Sequence, residues 1–254
     1  MNFAQATFLN AFEINELFFQ VINLPDWSQI RIENHNQCSE YLCRINFFSQ
    51  LSNIRGITNE TTESPHAGLN DGLTELSIYK HKPEFYGDQE RINTVLSGLG
   101  LSKDIIIKVA NSLSEIVDNA FSHNLGQWSL QTGPLVSLIA QKYKYSNKSC
   151  LLFSICDFGG GFRNSLLANY PDLKDEKEAI NSAIQPNLTG RPQRKGGNGL
   201  FYLQRETFNG FKGSLIIRSG NTISKVEKKL KTTPLNEKLP FNYGSNVFFS
   251  LQLL

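Results

Sequence analysis

The pattern of apolar and polar residues predicts a long amphipathic helix near the middle of the chain, from Ser102 to about residue 124. Apolar residues recur there at roughly helical spacing, at Ile106, Val109, Ala110, Leu113, Val117 and Ala120. Ser102 can cap the first turn, and Asp104 lies where the helix dipole favours a negative charge. The repeating apolar positions therefore indicate a helix with one side in the core.

A polar stripe follows another side of the same helix. Glu115, Asn119 and His123 are each four residues apart, so they lie one above another. The amide oxygen of Asn119 is a hard ligand of the kind that Mg²⁺ accepts. Glu115 lies one turn earlier, where a carboxylate could take a proton from an attacking hydroxyl or water. A solvated helix face is the alternative, because polar stripes are ordinary on amphipathic helices.

Apolar, β-compatible runs predict strands over residues 151–156, 212–219 and 243–253. The first of these runs is followed by Asp157 and then by the glycines of Gly159–Gly161. Glycines allow a turn in which the backbone approaches another group closely. An ordinary glycine-rich turn is the alternative interpretation.

A second glycine-rich loop, Lys195–Gly199, leads into a predicted helix over residues 200–208. At a helix N-terminus such a loop leaves backbone N–H groups able to cradle phosphate oxygens. Lys195, Arg194 and Arg191 could add charge-assisted contacts to the same phosphates. The loop lacks the Gly-Lys-Ser/Thr order of a Walker loop, and no strand leads directly into it as in a dinucleotide fingerprint. A flexible loop with a basic face is the alternative.

Residues 1 to about 90 are interpreted as a small α/β region whose role the sequence leaves open between a sensor, a docking surface and a dimerisation element. Residues 29–33 and 73–79 are typical of strands, residues 39–50 of a helix, and residues 57–72 of a loop or linker. An aromatic cluster is more typical of a core than of a ligand site: Phe3, Phe8, Phe12, Phe18 and Phe19.

Two further segments are predicted to lie at the surface. Residues 162–196 contain prolines and a charged run, which suit a surface segment with one short helix at about 174–183. Residues 221–242 carry five lysines and are interpreted as a solvated, mobile loop between two strands, with a docking loop for an acidic partner as the alternative.

Composition narrows the class of protein. At 254 residues and 40% hydrophobic content the chain can build real cores, and a net charge of +2 gives no reason to expect nucleic-acid binding. No apolar run reaches transmembrane length, and the N-terminus lacks a basic-then-apolar signal pattern. We therefore expect no membrane partner and a cytoplasmic location, with reduced thiols at all four cysteines: Cys38, Cys43, Cys150 and Cys156.

Four motifs in a fixed order resemble the nucleotide pocket of the GHKL ATPases, which include gyrase-type ATPases, heat-shock chaperones, histidine kinases and mismatch-repair ATPases. The motifs are Glu115–His123, Asp157–Gly161, Gly197–Leu200 and Gly244–Ser245. The last pair departs from the Gly-Thr of the family but keeps the hydroxyl. Within the group, the Glu-x-x-x-Asn-Ala-x-x-His pattern is most similar to the anti-sigma-factor serine kinases and related standalone bacterial ATPases.

The resemblance implies a Bergerat fold over residues 91–254, following the small α/β region at residues 1–90. This fold is an α/β (α+β) two-layer sandwich, with a mixed, mostly antiparallel sheet and helices on one face. Residues of about 162–196 would form the lid that orders over bound nucleotide.

The same resemblance implies ATP and Mg²⁺ as the ligands. Asn119 would ligate the metal, and Glu115 would be the catalytic base. Asp157 would accept a hydrogen bond from the exocyclic amine of adenine, supported by Ser245, because an ionised carboxylate can only accept. Other residues are expected to contact the nucleotide or to let the backbone approach it: His123, Gly159, Gly161, Lys195, Gly197, Gly199 and Leu200.

The implied function is Mg-dependent phosphoryl transfer or hydrolysis of ATP. One hypothesis is a serine/threonine kinase acting on a small STAS-like partner. A second is an ATPase that drives a conformational switch in an effector, and a third is a nucleotide-gated binding module with little turnover. Relatives often dimerise, which leaves a homodimer open.

Two branches of the family fit less well. Sensor histidine kinases usually have Asn at the position of Glu115, and His66 lacks the acidic neighbour and the helix of a phosphoacceptor. Gyrase-type and mismatch-repair ATPases continue into a second domain, whereas this chain stops at Leu254. The sequence therefore favours neither of these roles.

Overall fold

A seven-stranded antiparallel sheet forms the centre of the structure. The computed structural model describes residues 9–22, 37–55, 74–123, 133–145, 148–188, 198–236 and 244–253. The strands are β1 (Thr74–Tyr79), β2 (Val136–Tyr145), β3 (Lys148–Asp157), β4 (Leu215–Ser219), β5 (Thr222–Val226), β6 (Thr232–Asn236) and β7 (Ser245–Leu253). They lie in the order β1-β2-β3-β7-β4-β5-β6, and each neighbouring pair is antiparallel. The expectation of some parallel pairing is therefore wrong for these strands.

The helices are α1 (Ala11–Ile22), α2 (Gln37–Arg44), α3 (Phe47–Arg55), α4 (Lys82–Gly98), α5 (Lys103–His123), α6 (Gly161–Leu167), α7 (Glu176–Ala183) and α8 (Gly199–Arg205), with a π-helical turn at Glu206–Gly210. The long helix predicted from the apolar repeat is confirmed as α5. Its first turn is capped as expected, because the backbone N–H of Ile105 donates to Ser102 Oγ at 3.4 Å.

The main hydrophobic core lies between one face of the sheet, here called the front face, and a layer made of α4, α5, α7 and α8. Strand residues alternate between faces, so Leu138, Phe153 and Val247 enter this core. From α5 the residues Val109, Leu113, Val117 and Ala120 are buried, as the helical repeat predicts. The front face is thus the one against which the Glu115–Asn119 helix packs.

The opposite face of the sheet, here called the reverse face, is covered by α1, α2 and α3. Phe18 and Ile22 of α1 are fully buried there, together with Ile139 and Phe158. Helices therefore pack on both faces, and the expectation of helices on one face only is wrong. The physical reason is visible in the strands, whose continuous apolar runs supply an apolar side chain to each face.

The described residues before residue 90 share this sheet and its cores with the rest of the described chain. β1 confirms the strand predicted at 73–79 and pairs with β2 at one edge of the sheet. α4 spans residue 90, where the sequence suggested a boundary. The helix predicted at 39–50 is two helices, α2 and α3, separated at Asn46, whose φ is 63°. Phe18 and Phe19 are buried as expected, while Phe3, Phe8 and residues 29–33 lie outside the described residues.

The described parts of the two segments predicted to lie at the surface form regular secondary structure. Up to residue 188 the first one contains α6 and α7, and Ile180 and Ile184 are fully buried in the main core. The short helix predicted at 174–183 is confirmed as α7. In the lysine-rich segment, residues 222–236 form the β5–β6 hairpin rather than a mobile loop, because Val226 is drawn into the core.

In the parts of the chain described above, no helix has both the length and the apolar character needed to cross a membrane.

Candidate functional site

Asp157 is the last residue of β3 and is held from two sides. It pairs in register with Ser245, the first residue of β7. Ser245 Oγ donates a hydrogen bond to Asp157 Oδ2, and the backbone N–H of Gly159 donates to Asp157 Oδ1 at 2.9 Å. The residue is 5% exposed. A buried carboxylate with such partners has a fixed orientation, which is what selective recognition of a ligand requires.

Gly244 lets β7 begin directly against the backbone of Asp157. Its φ is +92°, a left-handed conformation that favours glycine, and a Cβ atom built there would lie 1.9 Å from the carbonyl oxygen of Asp157. The glycine of the Gly244–Ser245 motif is therefore required both by backbone conformation and by the close approach of two chain segments.

Glu176 and Ser219 extend the same corner of the front face. Ser219 Oγ donates to Glu176 Oε2 at 2.7 Å and accepts from the N–H of Phe162 at 2.8 Å. A Cβ atom on Gly161, whose φ is +78°, would lie 2.7 Å from Ser219 Oγ. Gly161, the last glycine of the Asp157–Gly161 motif, is thus needed for the contact of this turn with β4. Sequence reasoning missed Ser219 and Glu176, although Ser219 ends a predicted strand and Asp157 directly follows one.

Burial raises the pKa of the Glu176 carboxyl, and the hydrogen bonds from Ser219 and from the Arg163 N–H partly oppose that rise. A carboxyl whose pKa is higher in the folded state than in the unfolded state contributes stability at low pH. That contribution is lost as the pH rises through the folded-state value.

Replacing Glu176 with glutamine is therefore expected to stabilise the protein relative to wild type, and increasingly so as the pH rises from near the usual carboxyl pKa to neutral. The glutamine oxygen can keep the hydrogen bonds from Ser219 and Arg163 without a charge to desolvate. Urea unfolding of both proteins across this range measures the difference, and a difference that stays constant with pH contradicts the assignment. Glu178→Gln, on the exposed side of α7, is the control.

Glu115 and Asn119 meet the first residue of α8. A Cβ atom on Gly199 would lie 2.8 Å from Glu115 Oε2 and 3.1 Å from Asn119 Nδ2. Glu115 is exposed and Asn119 is half-buried, so the stripe lies at the rim of the helix layer. The structure therefore brings the first and third sequence motifs into contact, and a side chain at position 199 would displace the ends of the Glu115 and Asn119 side chains.

The two groups of residues lie on the same side of the sheet. Asp157 follows Phe153 and Ile155 by alternation on β3, so its side chain is directed to the front face. α5, which carries Glu115 and Asn119, packs on that face. A ligand bound at the ends of β3 and β7 would thus extend along the side of the sheet that α5 covers.

The remaining residues expected at the site fall into two classes. Leu200 is buried in the main core, where it fixes the start of α8. Lys195, Gly197 and the side chain of His123 lie outside the described residues.

Within the described ranges, no group of three or more His, Cys, Asp and Glu residues is arranged to hold a metal ion. The amide oxygen of Asn119 is one hard oxygen ligand of the kind that Mg²⁺ accepts, usually alongside phosphate oxygens and water.

Comparison with models of known protein families and with curated proteins finds no match for this chain.

Proposed function

We propose that this protein binds ATP together with Mg²⁺ and catalyses phosphoryl transfer or hydrolysis as a GHKL-type ATPase with a Bergerat-like nucleotide site. The observation that carries the proposal is the buried Asp157 carboxylate fixed by Ser245 and Gly159. It lies on the same face of the sheet as the helix that bears Glu115 and Asn119. The family resemblance supplies the function, and these contacts supply its support.

In this proposal Asp157 recognises the adenine ring. An ionised carboxylate only accepts hydrogen bonds, so it favours the exocyclic amine of adenine over the carbonyl of guanine. Ser245 Oγ donates its hydrogen bond to Asp157, and this contact holds the Asp157 carboxylate in one orientation. Gly159 and Gly161 allow the backbone after β3 to turn beside the ring.

Asn119 would hold Mg²⁺ through its amide oxygen, together with phosphate oxygens and water. When bound, the ion neutralises charge on the phosphates. The close approach of Gly199 to Asn119 supports this placement, because it brings the start of α8 beside the amide. His123, Lys195 and Gly197 belong to the proposed phosphate contacts by resemblance.

Glu115 is the proposed general base. It lies one helical turn before Asn119, and its carboxylate is exposed, so an attacking hydroxyl or water can reach it. Gly199 leaves room for this carboxylate, because a Cβ atom built at position 199 would lie 2.8 Å from Glu115 Oε2.

Gly199→Ala is therefore expected to displace the Glu115 carboxylate and lower ATP turnover by about 10²-fold, the scale of a misplacement of about 1 Å. Gly87→Ala in α4 is the matched control, because nothing lies within 4 Å of a Cβ at that position. The control should keep full turnover and gain about 0.5–1 kcal/mol of stability from helix propensity. Phosphate release and urea unfolding measure both variants, and equal turnover in the two contradicts the role of Gly199.

The acceptor of the phosphoryl group defines the subclass. We propose a serine or threonine of a small STAS-like protein, by resemblance to the anti-sigma kinases, with water and a conformational switch as the alternative. A cytoplasmic location belongs to the same proposal.

Nucleotide binding tests the proposal directly. Titration of the wild-type protein with an ATP analogue and Mg²⁺ should show saturable binding. Asp157→Asn should weaken it by about 10- to 100-fold, the effect of losing a hydrogen bond to a charged group. Glu90→Gln changes an exposed carboxylate of α4 and should leave the affinity unchanged. Absence of binding to the wild type, or equal affinity in both variants, would overturn the proposal.

A further inference from the structure

A buried polar network joins α1 to the reverse face of the sheet. Glu16 Oε2 forms an ion pair with Arg218 Nη1, and Asn246 Nδ2 donates to Glu16 Oε1 at 2.9 Å. Glu16 is 8% exposed, Arg218 4% and Asn246 1%. The network continues through Ser154 Oγ, which donates to Asn246 Oδ1 at 2.7 Å. Its members thus join one helix to β3, β4 and β7.

The stability of the fold alone does not account for this arrangement. Burial lowers the pKa of Arg218 to about 10, which reflects the cost of removing a guanidinium from water. A buried ion pair is often no more stabilising than apolar side chains of the same volume, and its best-attested use is to fix one register of two elements. The rest of α1 is already held on the sheet by apolar side chains such as Phe18 and Ile22, and by the buried amide of Asn15, which donates to the carbonyl oxygen of Ser154 at 2.9 Å.

Several residues that α1 contacts are immediate sequence neighbours of residues in the front-face site. Arg218 precedes Ser219, and Asn246 follows Ser245. Phe19 of α1 stacks on Phe158, the residue after Asp157, with ring centroids 4.9 Å apart. On each strand, neighbouring residues point to opposite faces. From the reverse face, α1 therefore contacts the same backbone segments that present Asp157, Ser219 and Ser245 on the front face.

We propose that Glu16 is a positioning residue of the nucleotide site, and that α1 sets adenine recognition by fixing the ends of β4 and β7 from the reverse face. This inference rests on the proposed function, because it concerns the same site. Glu16 touches no ligand in this scheme. It holds Arg218 and Asn246, and the backbone transmits their positions to Ser219 and to the Ser245–Asp157 hydrogen bond. A partner that displaced α1 would consequently loosen the hold on adenine.

The test compares ATP with inosine triphosphate, in which a carbonyl replaces the exocyclic amine that Asp157 would accept from. Their dissociation constants are measured with Mg²⁺ for wild type and Glu16→Gln at a temperature where circular dichroism shows both folded. In Glu16→Gln we expect the preference for ATP over inosine triphosphate to fall by about tenfold. This is the effect of losing one hydrogen bond of ordinary net strength. A smaller folded fraction alone would weaken the binding of both nucleotides equally and leave the ratio of their dissociation constants unchanged.

Two further variants keep the test decisive. The double variant Glu16→Met, Arg218→Met removes both charges but retains apolar volume, so it should fold and still lose the preference, because Asn246 has lost its acceptor. Ile14→Ala disturbs a fully buried α1 residue of the same core and should keep the preference.

Each outcome decides between the two proposals. An unchanged ratio in Glu16→Gln and in the double variant overturns the positioning role while leaving the proposed function intact. A wild-type protein that binds neither nucleotide overturns the proposed function and this inference together. Loss of the ratio in Ile14→Ala as well would also overturn the role of Glu16, because general loosening of α1 would then suffice.

Discussion

Replacing Glu115 with glutamine is expected to lower turnover of MgATP by about 10²- to 10⁴-fold, the usual contribution of a general base, while nucleotide binding persists. Glutamine keeps the size of the side chain against Gly199 but cannot take a proton at neutral pH. The measurement is a single-turnover incubation with γ-labelled ATP and Mg²⁺, in which labelled phosphate is followed over time.

Two companion variants separate chemistry from binding in this experiment. Asn119→Ala removes the proposed metal ligand and should weaken binding of MgATP as well as turnover. Asp104→Asn changes an exposed carboxylate in the first turn of the same helix and should turn over ATP as wild type does. Full activity in Glu115→Gln would remove Glu115 from the chemistry. Binding without turnover in the wild type would instead favour the nucleotide-gated binding module, or a kinase that requires its protein acceptor.

Replacing Gly244 with alanine is expected to be the most destabilising single change considered, costing more than about 4 kcal/mol. Two costs combine at this position. Left-handed backbone is unfavourable for alanine by about 1–2 kcal/mol. The added Cβ would also lie 1.9 Å from the carbonyl oxygen of Asp157 and 3.0 Å from the Cα of Phe158. Both neighbours are backbone atoms, so only a shift of β7 away from β3 relieves the contact.

Gly100→Ala isolates the first of these costs. Gly100 has a φ of +74°, and no atom lies within 4 Å of a Cβ built there. Its substitution should therefore cost only the conformational term of about 1–2 kcal/mol. Urea unfolding of the two variants, followed by circular dichroism, measures the difference between them. Equal stabilities would show that the approach of Gly244 to Asp157 is not close in solution.

The helical repeat and the apolar runs predicted the elements that carry the site. α5 and β7 were predicted nearly to their ends, because each has a strong repeat and a clear start, such as the Ser102 cap or the Gly244 turn, whereas β3 begins three residues before the predicted strand. Glycine positions were informative for a related reason. Gly161, Gly199 and Gly244 each stand where a side chain would collide with a neighbour, and such positions leave a trace in sequence.

Other elements of the fold could not be predicted in this way. β2, α1 and α4 were not assigned from the sequence, and the lysine-rich segment was taken for a loop although its residues 222–236 form the β5–β6 hairpin. Local composition shows that the lysine-rich segment is polar. It does not show that part of this segment forms a strand, because that strand is held by hydrogen bonds to β4. Pairing between distant segments has no local signature.

The sequence by itself determined the chemistry available at the site and the helix and strand ends on which it lies, since motif order and periodicity are local properties. The tertiary structure decided which face of the sheet each helix covers, and it brought Glu176 to Ser219 and Glu16 to Arg218 and Asn246. These pairs are far apart in the chain, and an amphipathic helix reveals that it has a buried side but not what buries it. The covering of the reverse face by α1, and with it the link from Glu16 to the site, is therefore a property of the folded protein alone.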